Sequence, residues 1–171
     1  MLKKGKILWN ICSELRNYCN CIPQFILAAA AGVAFIIFGW TKFGGPCRIT
    51  LLFKIPGGGF TIGLYYVLWF IMFMLFGCEL IMHLQMLKWI GEKPLLLHIA
   101  SHLLMYLWYP LFFTSFSQFF ALLILISSMI LLITELAEMY KYSVVLSLLL
   151  IFKTLITVLY VVINLSFLII N

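Results

Sequence analysis

The chain has 171 residues, of which 65% are hydrophobic, 17% aromatic and 9% charged, and its formal net charge is +6. This composition excludes a soluble single domain, because long apolar segments with few charges are typical of chains that fold in lipid. It also argues against nucleic acid as a partner, since the basic residues lie singly or in short clusters between apolar segments. The sequence therefore predicts an integral membrane protein whose partner is the lipid bilayer.

Residues 1–21 are predicted to form a basic N-terminal arm that lies in the membrane interface. No small-residue cleavage site follows its apolar part, so we expect the arm to be retained. The transmembrane domain, residues 22–171, then begins with an uncharged first helix over about residues 23–40, which is long enough to cross a bilayer. The run from Ala28 to Gly32 gives this helix a small-residue face for close packing, and such a face is compatible with a homodimer.

The remaining apolar sequence divides into four more helices. A loop rich in glycine and proline precedes a second helix over about residues 60–83, and a polar connection over residues 84–93 follows it. Residues 94–134 carry no formal charge, and a single helix of that length would rise about 60 Å, twice the roughly 30 Å of a bilayer core. The chain must therefore turn back near its polar cluster at residues 114–118. The expected fold is an all-α bundle of five transmembrane helices, the last three over about residues 94–113, 119–139 and 143–168.

The distribution of lysine and arginine predicts the orientation of this bundle. With five spans, the face that carries the N-terminus holds seven basic residues and the opposite face holds three, namely Lys3, Lys4, Lys6, Arg16, Lys88, Lys93 and Lys141 against Lys42, Arg48 and Lys54. Because basic residues accumulate in cytoplasmic loops, this bias favours a cytoplasmic N-terminus.

A series of short motifs occurs from about Leu103 to the C-terminus. They are Trp108-Tyr109-Pro110-Leu111-Phe112-Phe113, Phe120-Ala121-Leu122, Met139-Tyr140-Lys141, Leu159-Tyr160-Val161-Val162-Ile163-Asn164 and the final Asn171. In sequence and spacing they resemble the TspO/MBR family, which comprises the tryptophan-rich sensory proteins of bacteria and the mitochondrial translocator protein, or peripheral benzodiazepine receptor. Residues 52–56 and 59–64 resemble the first loop of that family and the start of its second helix.

The resemblance implies a membrane binding or sensory protein. In the TspO/MBR family, five helices surround a pocket that takes tetrapyrroles such as protoporphyrin or haem and, in animal members, cholesterol and drug ligands; no other cofactor is required. By position, the residues that line the pocket would be Phe60, Tyr66, Ser101, Met105, Trp108, Phe120, Ile156, Tyr160, Ile163 and Asn164. Aromatic walls with a few polar groups suit a flat apolar ligand. The expected location is a bacterial plasma membrane, with the mitochondrial outer membrane as the alternative.

Departures from the family pattern leave two other hypotheses open. Tyr66 and Ile156 stand where the family has the tryptophans that are linked to light-dependent porphyrin breakdown, so a porphyrin-degrading enzyme is disfavoured and no catalytic residue is assigned. Tyr160 replaces a small residue that normally leaves room for the ligand. The alternative hypothesis is therefore a diverged helical scaffold or transporter component with a closed cavity.

His98 and His102 are four residues apart and so share one face of the third helix. This geometry could offer an imidazole to a haem iron or to a metal ion. No third ligand stands at a recognisable spacing, and the five cysteines contain no CxxC pair. We therefore predict no metal site and expect the two histidines to form hydrogen bonds with neighbouring helices or to lie near the lipid headgroups. If a metal ion does bind, the deeper His102 is its expected ligand.

Lys153 is a formal charge inside the last apolar segment, about 18 Å along the helix from Lys141. A charge at this depth is a sign of function. Its expected partners are a porphyrin propionate, Glu135 or Glu138, unless the side chain extends to the membrane surface. Glu79, close to the predicted end of the second helix, is expected to lie in the interface.

Overall fold

The computed structural model describes residues 22–43, 59–113 and 117–170, and the predicted arm over residues 1–21 and most of the first loop lie outside these ranges. Within them the chain forms five α-helices and no strand, which confirms the all-α class. The helices are α1 (Ile22–Phe43), α2 (Gly59–Ile90), α3 (Lys93–Phe113), α4 (Gln118–Met139) and α5 (Val144–Ile170).

Four of these helices contain segments that are long and apolar enough to cross a membrane. The segments are Val67–Ile90, Lys93–Phe112, Gln118–Met139 and Val144–Ile170. A helix crosses the roughly 30 Å of the bilayer core with about 20 residues, so each segment has sufficient length. The protein is accordingly an integral membrane protein, and a fifth crossing by α1 stays a prediction.

The packing of the helices separates an interior of apolar and polar side chains from an apolar exterior. Helix α2 packs against α1, α3 and α5, while α4 packs against α3 and α5. On α4 the buried positions recur every three or four residues, at Ala121, Leu125, Ser128, Leu132, Glu135 and Met139, because such positions share one helix face. The opposite face exposes large apolar side chains such as Ile130 and Ile133. An exterior of this kind is suited to lipid.

Helix α2 is longer at its C-terminal end than predicted. The polar connection expected over residues 84–93 is helical up to Ile90, and the turn to α3 is made by Gly91 and Glu92. Gly91 has a φ of 74° and its N–H donates to the Leu87 carbonyl at 3.0 Å, an arrangement that ends helices where glycine is present. Glu79 therefore lies about 16 Å before the end of the helix.

Candidate functional site

Four aromatic side chains of α3 and α5 form a buried group that we call the aromatic cluster: Trp108, Phe112, Tyr160 and Phe167. The ring centroids of Trp108 lie 5.0 Å from those of Phe112 and 5.1 Å from those of Tyr160, and Phe112 lies 5.3 Å from Phe167. These distances are typical of favourable aromatic pairs. None of the four side chains is more than 1% exposed.

Asn164 connects this cluster to the start of α4. With its amide oxygen directed at the indole, Asn164 accepts a hydrogen bond from Trp108 Nε1 at 2.9 Å, and its amide nitrogen donates to the backbone carbonyl of Gln118 at 3.3 Å. Asn164 is fully buried, so both hydrogen bonds are made away from solvent and lipid. Three helices are thereby held together at this end of the bundle.

The pocket residues predicted from the resemblance fall into three groups. Ser101, Met105, Trp108, Ile156, Tyr160 and Asn164 are buried between helices, and Ile163 is partly buried against the same core. Phe120 is 60% exposed and packs beside Phe119 on the outer face of α4, away from the others. The side chains of Phe60 and Tyr66 lie outside the described part of the structure.

A second buried group, which we call the charged cluster, consists of Glu79, His83, His98, Glu135 and Lys153. It draws on α2, α3, α4 and α5, and each of its side chains is 0% exposed. Lys153 Nζ donates to Glu79 Oε2 at 2.7 Å. Because a lone buried charge is costly in a medium of low dielectric constant, this pairing is what permits either group to remain charged there.

The two histidines of the charged cluster converge on Glu135. His98 Nδ1 lies 3.0 Å and His83 Nε2 lies 3.2 Å from Glu135 Oε1. Their remaining ring nitrogens face backbone carbonyls: His98 Nε2 is 3.3 Å from the Phe76 oxygen and His83 Nδ1 is 2.8 Å from the Glu79 oxygen. The imidazole rings stack with centroids 4.8 Å apart.

His102 belongs to the same column of rings but not to the carboxylate site. Its ring stacks on Phe76 with a centroid distance of 4.0 Å and lies 5.3 Å from the ring of His98. The prediction that His98 and His102 lie side by side on one face of the third helix is thus confirmed. The imidazole that joins His98 at a carboxylate, however, is that of His83 on α2.

Two expectations for the charged residues are wrong. Lys153 pairs with Glu79, while Glu135 faces histidines and Glu138 pairs with Lys93 near the surface. Glu79 is fully buried instead of interfacial, because α2 continues beyond it for three turns. The sequence signal for this cluster was the presence of at least one ionisable residue, histidine included, within each of four apolar segments.

His83 is the functional candidate that the sequence interpretation missed. It was placed at the end of the second helix, where a histidine is usually solvated. Glu79 and His83 are four residues apart, as are His98 and His102, so two apolar helices each carry a polar pair on one face. That repeated spacing indicates that each helix has a polar face, which favours burial of both faces inside the bundle.

Comparisons of the chain with protein-family models, with curated proteins and with solved structures give no match.

Proposed function

We propose that the protein is a five-span membrane protein, similar to the TspO/MBR family, that binds a flat apolar ligand such as a tetrapyrrole or a sterol-like molecule between α3 and α5. The observation that supports this proposal is the contact of Trp108 with Tyr160 and Asn164, since all three are residues that the resemblance implies for the pocket. An aromatic wall with one amide provides stacking area and a single polar group for orientation. The proposal includes a cytoplasmic N-terminus in a bacterial plasma membrane.

A titration with protoporphyrin tests this function. The purified full chain in detergent or in lipid nanodiscs is expected to bind one porphyrin saturably, measured by the shift of the porphyrin absorption band. Trp108→Phe removes the indole face and its hydrogen bond to Asn164, so binding should weaken about 10-fold, which corresponds to roughly 1.4 kcal/mol. Trp89→Phe is the matched control because Trp89 is 82% exposed near the end of α2. Equal binding by the two variants would contradict the proposal.

A second candidate function, a helical scaffold or transporter component with a closed cavity, is favoured by one specific observation. Trp108 and Tyr160 are both fully buried and contact each other, so they fill the space that a ligand would use. Tyr160→Ala distinguishes the two functions. Porphyrin binding that occurs only in this variant supports the closed scaffold, whereas binding by the unmodified chain supports a ligand-binding protein whose aromatic rings move apart.

A further inference from the structure

The charged cluster contains buried polar atoms that make no hydrogen bond to the described residues. Two of them are carboxylate oxygens, Glu135 Oε2 and Glu79 Oε1, and the third, His83 Nε2, makes only a 3.2 Å contact with Glu135 Oε1. Buried polar atoms in folded proteins almost always have a hydrogen-bond partner, and an ion is one of the few explanations when several such atoms lie together. His83, His98 and Glu135 bring one ligand atom each to within 4.8 Å of one another.

The outer contacts of the two histidines identify one ring nitrogen of each as a hydrogen-bond donor. A backbone carbonyl only accepts hydrogen bonds, so His98 donates from Nε2 to the Phe76 carbonyl and His83 donates from Nδ1 to the Glu79 carbonyl. The inner nitrogens, His98 Nδ1 and His83 Nε2, face Glu135 as N–H donors when the rings are protonated and offer lone pairs to a metal ion when the rings are neutral. Metal-binding histidines are held in this way, with the second ring nitrogen donating to a carbonyl or carboxylate.

The local charge also favours a cation at this point. Lys153 and Glu79 compensate each other through their 2.7 Å contact, so Glu135 has no lysine or arginine partner and faces the inner ring nitrogens of His98 and His83 at 3.0 and 3.2 Å. Ligand atoms bound at about 2.0–2.1 Å around one metal ion are separated by similar distances. A metal ion between them would balance the carboxylate and satisfy both nitrogens.

From this geometry we infer that His83, His98 and Glu135 form an intramembrane binding site for a divalent transition-metal ion of the zinc class. Two imidazoles and one carboxylate suit Zn²⁺, Co²⁺ or Fe²⁺ and do not suit Mg²⁺ or Ca²⁺, which prefer oxygen ligands. With three protein ligands, one coordination position stays open. This inference does not depend on tetrapyrrole binding.

The site lies close to one end of the bundle. Along α3, His98 is about 7 Å from Lys93, and along α4, Glu135 is about 6 Å from Met139. Both distances run toward the end that carries the α2–α3 and α4–α5 connections, where Glu138 and Lys93 form an ion pair. The site therefore lies within about two helical turns of this end of α3 and α4.

Titration with zinc and cobalt tests the site. The full chain, prepared without a histidine tag and freed of metal with a chelator, is expected to bind one Zn²⁺ saturably by calorimetry. Bound Co²⁺ should give the visible bands of a low-symmetry nitrogen and oxygen site. Mg²⁺ at a large excess should neither bind nor compete. Absence of a saturable site for Zn²⁺ would overturn the inference and would indicate that protons alone occupy these positions.

Variants assign the ligands. His83→Gln, His98→Gln and Glu135→Gln should each weaken Zn²⁺ binding at least about 100-fold, since even changes in the shell around the ligands cost 10–100-fold. His102→Gln is the matched control because it places the same substitution one turn from His98, on a residue that faces Phe76. Wild-type affinity in any ligand variant, or an equal loss in the control, would refute the assignment.

X-ray absorption of the zinc-loaded wild-type chain keeps the inference testable if a variant fails to fold. The chain has only three histidines, so two imidazoles around zinc must include at least one of His83 and His98. The expected first shell contains nitrogen and oxygen. A first shell of sulfur would mean that zinc binds to cysteines, and it would exclude the proposed site.

Discussion

The aromatic cluster and the charged cluster occupy the same bundle and share α3 and α5, yet they are stabilised in opposite ways. On α5, Lys153 and Tyr160 are separated by about 10 Å. The aromatic cluster is held by contact area and one hydrogen bond to Asn164. The charged cluster is held by contacts between ionisable groups that are fully buried, such as Lys153 and Glu79 at 2.7 Å. The comparison teaches that the charged cluster depends on each charge keeping its partner, whereas the aromatic cluster depends on the contact area that its rings provide.

The largest expected effect comes from breaking the Lys153–Glu79 ion pair. Glu79→Gln leaves a buried ammonium without a carboxylate, and we expect a loss of about 3–5 kcal/mol in the free energy of unfolding. The double variant Glu79→Gln/Lys153→Met removes both charges and should recover most of that loss. Circular dichroism during unfolding in detergent measures the stability of the single and the double variant. Equal losses in the single and double variants would show that the pairing is not what stabilises the cluster.

A smaller effect is expected in the aromatic cluster. Asn164→Leu removes the acceptor of the Trp108 indole N–H, and the loss should be about 1 kcal/mol, since single hydrogen bonds between membrane helices contribute little. Trp108→Phe combined with Asn164→Leu removes donor and acceptor together. In the same unfolding experiment, the double variant should lose less stability than the sum of the two single losses. Strict additivity would mean that the hydrogen bond is absent.

The smallest effect is expected for the ion pair of Lys93 and Glu138 at the end of the bundle. The side chain of Lys93 is 70% exposed, and exposed ion pairs contribute little because water and salt screen them. Lys93→Ala should therefore leave the unfolding midpoint unchanged at high ionic strength. Comparison with Glu79→Gln would then show that the contribution of an ion pair to the free energy of unfolding depends on its burial and not on its charge alone. A salt-independent loss as large as that of Glu79→Gln would disprove this comparison.

The apolar pattern predicted most of the helical framework. The expected bounds of the third and fourth helices, residues 94–113 and 119–139, differ by one residue from Lys93–Phe113 and Gln118–Met139. The sequence predicts an end of the second helix at residue 83, because polar residues that are typical of a connection follow it. Gln85 and Lys88 are compatible with a helix that leaves the membrane, and Gly91 is the residue that stops it.

The candidate sites were harder to predict, for a reason that Phe120 and His83 illustrate. Phe120 was assigned to the pocket from its position in a motif, but it is turned about 100° from Ala121, which occupies the buried stripe of α4. His83 was left out because its depth depends on where α2 ends. A change of a few residues in a helix end, or one position in its rotation, decides whether a side chain faces lipid, water or the interior.

The sequence by itself determined that this chain is helical and is embedded in a membrane. Its composition and long uncharged segments place the backbone in lipid, where helices satisfy the backbone hydrogen bonds. It also supplied the ionisable residues and the four-residue spacing of two polar pairs. Only the tertiary structure decided which of them meet: Lys153 with Glu79, and His83 and His98 with Glu135. Partners on different helices are chosen by packing and rotation of those helices, which no local pattern in the chain encodes.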